Sequence, residues 1–293
     1  MLPGALQVQP SGGSNASSDS PGAAQKRPKL AGTKPPTVES ILGRELARDG
    51  SAGIISFRTT PEKGIEITKL SLAGEGTSRP GEPCRVDVIA EGAIQARFGG
   101  RPNGVSRYEV DIPACPFFLE VLDGAVLVTR SPRTCEFREV QCRVDPAGLW
   151  GPPGNSIGPD QAKQFERERG RAESDMRANF RALLTGAGKD KEAIKKIAGE
   201  QAGFSSAREM TCRTYLKEDV HGYCALRLTQ ARALALQAAF MKQAKMKADS
   251  NPAEALEKRT IAKRKPAANP KINTKAGLHP ELDPGLQPAA APK

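Results

Sequence analysis

Six cysteines hold most of the reactive chemistry in this sequence: Cys84, Cys115, Cys135, Cys142, Cys212 and Cys224. Their number is even, no CxxC occurs, and the only histidines are His221 and His279. That pattern points to disulfide cross-links rather than to zinc, which needs clustered ligands. No metal site and no cofactor are expected. Disulfides persist in oxidising compartments such as the periplasm or the cell exterior. The competing reading is six buried free thiols in a cytosolic protein.

His221 lies three residues before Cys224, so a Cys–His nucleophile pair with Cys224 or Cys212 is conceivable. The simpler reading puts His221-Gly222 at a turn between helices, with both cysteines bonded to each other. Glu218 and Asp219 are adjacent, so on a helix they do not face each other and read as solvated surface. No glycine-rich phosphate loop, GxSxG elbow or HExxH motif occurs. No catalytic residue is assigned, and the expectation is a non-enzymatic protein.

Charge is the next signal. The 293 residues carry 44 Lys/Arg against 33 Asp/Glu, a net +11. Residues 53–141 hold eleven cations and twelve anions, whereas residues 142–247 hold nineteen and twelve. The basic excess therefore sits mainly in the second half, where its field would draw a polyanion. An anionic cell-wall polymer, a lipid surface or nucleic acid would each answer to it. Nucleic-acid recognition would interleave basic residues with aromatics or align them along a helix edge. Arg167, Arg169 and Arg171 instead alternate with Glu166 and Glu168, which reads as a mixed surface, so nucleic acid is disfavoured. No apolar run of about 18 residues occurs, so no membrane-spanning helix is expected. Met1 to Leu6 lacks the charged and apolar regions of a signal peptide, yet reads like the end of one, as if a start lay upstream.

The elements that would carry these residues divide the chain into five parts. Residues 1–36 are rich in Gly, Ser, Pro and Ala and read as a disordered leader or linker. Residues 37–147 read as a β-rich domain. Within it Thr37 to Leu46 suggests a short helix, and Ile65 to Leu72 a strand with a phase slip between Ile67 and Leu70 that implies a bulge. Val86 with Val88, Ala96 with Phe98, and Tyr108 with Val110 alternate as half-buried strands do. Asp123-Gly124, between two apolar runs, predicts a type I′ hairpin turn. Residues 148–158, with their prolines and glycines, read as a linker, with Trp150 packed in the junction.

Residues 159–247 read as a helical domain. Pro159-Asp160 opens a helix, and Phe165, Arg169, Ala172, Met176, Phe180 and Leu183 form its stripe. A second helix starts near Ala193 and a last one runs from Cys224 to about Lys247. Residues 248–293 read as a disordered basic tail. The fold class is α+β: a small antiparallel β-rich N-terminal unit, then an antiparallel helical unit, between disordered termini.

Gln201, Phe204, Arg208, Glu209 and Cys212, followed by Cys224, Thr229 and Arg232, carry a resemblance. Their spacing resembles the helical module of the LprI-like lysozyme-inhibitor family, with Phe204 where that family has Trp and Glu209 where it has Asp. The β-rich half is similar to secreted alphaproteobacterial proteins, a likeness that carries no activity. The resemblance implies an exported helical hairpin and, as an activity, inhibition of lysozyme. Lysozymes are usually basic, and so is this half, which disfavours lysozyme as the partner.

Read from the residues alone, Cys212 and Cys224 staple two antiparallel helices across the His221-Gly222 turn, and Phe204 shares the buried face of Cys212. The other four cysteines allow three pairings; Cys84–Cys115 with Cys135–Cys142 is preferred, the latter within a tight hairpin. The expected function is an exported, non-enzymatic envelope protein that binds a periplasmic partner or an anionic envelope polymer. Lysozyme inhibition and cytosolic nucleic-acid binding are the alternatives.

Overall fold

The structure is a computed structural model that describes residues 30, 32–62, 64–88, 92–129 and 135–250. Most of the expected leader and nearly all of the expected tail lie outside these residues. The described residues as far as Met246 form one compact unit.

Among the described residues eleven strands make a single antiparallel sheet: β1 (Glu45–Arg48), β2 (Ala52–Thr59), β3 (Ile65–Gly76), β4 (Pro83–Asp87), β5 (Ile94–Phe98), β6 (Arg107–Val110), β7 (Phe117–Leu122), β8 (Ala125–Thr129), β9 (Cys135–Phe137), β10 (Cys142–Val144) and β11 (Gly148–Gly151). Eight of them close a barrel in the order β2-β1-β11-β8-β7-β6-β5-β3, and β3 returns to β2. Closure leaves no free edge along this circuit. The barrel is filled by its own side chains, with Ile55, Phe57, Ile65, Leu119, Val126 and Trp150 almost wholly buried in one cluster. Each such burial contributes roughly 1.5–3 kcal/mol. Ser56 pairs with Lys69 and Phe57 with Ile67, so Thr68 is the extra residue of the bulge that the phase slip implied. At the β7–β8 turn Leu122 pairs with Ala125, and Gly124 takes a positive φ of 67° while Asp123 does not, so the turn is not type I′.

Thr37 to Leu46 does not form the expected helix. Val38–Ser40 makes one 3-10 turn, Gly43 at φ 65° ends any helical path, and Leu46 enters β1 opposite Ile55.

The second half of β3 extends past the barrel and carries β4 on one side and β10 on the other. Here the preferred cysteine pairing is overturned: Cys84 bonds Cys142, and Cys115 bonds Cys135. Strand register is the reason. In the β9–β10 hairpin Cys135 stands opposite Val144 and Cys142 opposite Phe137, so the two cysteines do not face each other. Cys142 and Cys84 instead flank the same stretch of β3, opposite Gly76 and Gly74. Cys212 and Cys224 are bonded as expected.

Residues 148–158 are not a linker. Gly148–Gly151 is an interior strand, paired with β8 and with β1. Its prolines, Pro152 and Pro153, fall just beyond the strand, where no ladder bond is lost. Leu149 faces out beneath the helices, and Trp150 faces into the barrel rather than into a junction between halves. The indole N–H of Trp150 donates to the Pro146 carbonyl at 2.9 Å.

The helices are α1 (Pro159–Ala187), α2 (Lys191–Cys212), α3 (Glu218–His221) and α4 (Tyr223–Ser250). Proline stands at the first position of α1, and the Gly158 N–H donates to Gln161 Oε1. Asp190 caps α2 by accepting from the Ala193 N–H at 3.0 Å. That helix runs through Gly203 without a break. Phe165, Ala172, Leu226, Leu228 and Leu234 bury against Val105, Leu122, Ala125 and Leu149 on the outside of the barrel. The helical layer and the barrel therefore share a second core.

Candidate functional site

The Cys212–Cys224 bridge closes a turn that seats on the barrel. Tyr215 Oη donates to the Pro152 carbonyl at 2.6 Å, and the Leu216 N–H donates to the Asp49 carbonyl at 2.8 Å. Glycine makes the seat possible: a Cβ on Gly151 would lie 2.7 Å from both Tyr215 and Tyr223, and one on Gly154 would fall on the Leu216 carbonyl. The glycines and prolines after Trp150 thus form a socket. Burial raises the phenol pKa of both Tyr215 and Tyr223 and lifts the Asp49 carboxyl, against the pull of Arg48.

His221 is buried in this turn with both ring nitrogens engaged. Nε2 lies 2.9 Å from the Leu216 carbonyl, and Nδ1 accepts from the Tyr223 N–H at 3.2 Å. The second bond makes Nδ1 the acceptor and Nε2 the donor. No nitrogen is left to activate a nucleophile, and both neighbouring sulfurs are spent in the disulfide. Glu218 is not solvated surface: its carboxylate accepts from the Cys224 and Ala225 N–H groups at 2.9 and 2.8 Å. It serves as the N-terminal cap of α4, where a carboxylate offsets the helix dipole. Burial nevertheless raises its pKa, with those two amides pulling the other way.

Beside the turn lies an open cleft of about 1310 Å³ between α1, the end of α2 and α3. Lys163, Arg169, Arg208, Arg213 and Lys217 line it, as do Glu166, Glu209 and Asp219. The guanidinium of Arg169 hangs over Gly222, where a Cβ would come within 3.2 Å of it. Among the described residues no group of three or more His, Cys, Asp or Glu could hold a metal ion. No described helix is long and apolar enough to cross a membrane.

The residues behind the family resemblance do converge, with one exception. Arg208 Nη1 donates to Thr229 Oγ1 at 2.8 Å, and Arg232 Nε donates to Gln201 Oε1 at 3.0 Å. Both guanidinium groups cover the Phe204 ring, at 5.6 and 5.8 Å from its centre. This cluster locks α2 to α4 just above the Cys212–Cys224 bridge. Glu209 stands apart, exposed on the cleft wall.

Arg227 escaped the sequence reading. It is 8% exposed, lies over the Tyr223 ring at 5.0 Å and over Phe165 at 5.7 Å, and meets Asp123 at 3.1 Å. An arginine at an apolar helix position carries no signal of such a role. Its partner Asp123, in the β7–β8 turn, was visible only as a turn residue. Neither a family model, a curated protein nor a solved structure matches the chain.

Proposed function

We propose that this protein works in an oxidising compartment of a bacterial envelope, as a non-enzymatic binding protein whose basic helical layer holds an anionic envelope polymer. The observation that carries the reading is the pairing of all six cysteines, one pair of which joins α2 to α4 and closes the turn that seats on the barrel. Cross-links of this kind persist outside the cytoplasm. The helical layer, residues 159–247, holds eighteen Lys/Arg against eleven Asp/Glu. Its one buried histidine and its best-placed carboxylate, Glu218, are both committed to holding the turn.

Two measurements test it. Non-reducing peptide mapping of protein from its native host should return three bridged pairs. Co-sedimentation of the oxidised protein with isolated cell-wall material should fall steeply with added salt. Six thiols open to labelling in living cells, or no sedimentation at low salt, would overturn it.

Lysozyme inhibition is the second reading, favoured by the convergence of Gln201, Phe204, Arg208, Thr229 and Arg232 around one ring. Charge disfavours it, since a basic surface facing a basic enzyme is repelled. A turbidity assay of cell-wall lysis, with the protein in molar excess, decides between the two.

A further inference from the structure

We infer that the outer face of α1 is a docking ridge for a linear anionic polysaccharide, an inference that rests on the polyanion reading above. The alternation of Arg and Glu around residue 168 is partly sorted by the helix: Glu168 turns away from Arg167 and Arg171, while Glu166 stays at the edge of their face. A helix turns 100° per residue, so residues two apart diverge, while those three or four apart share a face. Lys163, Arg167, Arg171, Arg177 and Arg181 follow one another at steps of four, four, six and four, with Ser174 within the longest step. At that turn they fall within an arc of about 120°, with Arg171 and Arg177 at its two edges, and all are exposed. At 1.5 Å per residue the five cations span about 27 Å, and the four-residue steps place them about 6 Å apart.

The ridge is poorly neutralised. Lys163 faces Asp160 at 3.8 Å and Arg177 faces Glu173 at 3.8 Å, both loose and exposed pairs. Arg167, Arg171 and Arg181 have no ion-pair partner among the described residues. Gly170 is also exposed, with open space where a Cβ would stand, so the middle of the ridge is low.

Its composition selects among polyanions. No aromatic side chain stands on it, and single-stranded nucleic acid is held by stacking as well as by charge. No large apolar side chain stands on it, and a helix lying in a bilayer surface buries such residues. What remains is a lysine followed by four guanidinium forks, about 6 to 9 Å apart along the helix axis, suited to carboxylates repeated along an extended chain. Lys163 also lines the cleft, so the ridge leads from its rim.

The test uses the oxidised full chain and polygalacturonate, which carries one carboxylate per sugar, with single-stranded DNA and anionic vesicles as comparison probes. R167E/R171E/R181E should weaken polygalacturonate binding by about tenfold or more at low salt, and the milder R167A/R171A/R181A should weaken it in the same direction. K191E/K195E/K196E, the same charge change on α2, should cost about threefold or less. Circular dichroism and the urea midpoint confirm that each variant is folded. Equal losses in the two reversed-charge variants would overturn the ridge and leave the polyanion reading standing. Tighter binding of DNA or vesicles than of polygalacturonate would overturn the polysaccharide. Absence of binding to polygalacturonate and to isolated cell walls alike would overturn both readings.

Discussion

The Tyr215 hydroxyl donates to the Pro152 carbonyl at 2.6 Å, joining the disulfide-closed helical turn to the barrel where β11 ends. Tyr215→Phe keeps the ring in its glycine socket and removes only this bond. Leaving this half-buried carbonyl without its partner costs about 1 kcal/mol, less than for a fully buried group. Urea unfolding should show that loss with an unchanged slope. A variant as stable as wild type would mean that water replaces the phenol.

Removing the bridge beneath it should cost more. Cys212 and Cys224 are 12 residues apart, and closing a loop of that size stabilises by about 3 kcal/mol. Cys212→Ser/Cys224→Ser should lose that amount, with early protease cleavage between residues 213 and 222. Unaltered cleavage there would show that the barrel socket alone holds the turn.

The glycines make opposite predictions according to what surrounds them. Gly154→Ala drives a methyl into the Leu216 backbone, which cannot swing aside, and should cost about 1–3 kcal/mol. Gly199→Ala, in α2 with nothing within 4 Å, should stabilise by about 0.8–1 kcal/mol. Thermal melts of both check the pair, and equal shifts would contradict the socket.

Glu218 supplies a pH dependence with a definite sign. Burial holds its folded-state pKa above the ordinary 4.5. The native state then binds the proton more tightly than the unfolded chain does. Its contribution is most favourable below pH 4.5 and is lost as pH rises through the raised value. Asp49, also raised by burial, acts in the same direction from 3.8 upward. Glu218→Gln cannot ionise, so the Tm of wild type minus that of the variant should fall as pH rises from about 4 to 7. A difference that stays flat would show that the two amide bonds cancel the burial.

Part of the barrel was legible because some of its strands are buried on one face only. Tyr108 and Val110 alternate with the outward Arg107 and Glu109 and announce a period of two. β11 was hidden because both of its faces are covered: Leu149 and Trp150 are adjacent, apolar and buried in different cores. Without alternation, and with prolines following, the segment looked like a connection. Cysteine pairing was hidden for another reason. Register decides it, and a shift that puts Cys135 opposite Val144 leaves no trace in spacing. The cluster around Phe204 was legible because helical spacing alone brings Phe204 and Arg208 to one side. The engagement of Arg227 with Asp123 was not, since it depends on where the β7–β8 turn meets α4.

The closed barrel has a consequence for the order of assembly. β1 lies between β2, its neighbour in the chain, and β11, whose Gly151 pairs with Ala47. A chain emerging N-terminus first can zip β1, β2 and β3 together early. The last stave arrives only with the segment that carries Trp150, and with it the indole that fills the interior. Closure is thus a long-range and slow event. Until it happens β1 and β8 present unpaired rims, open to pairing with any other strand edge.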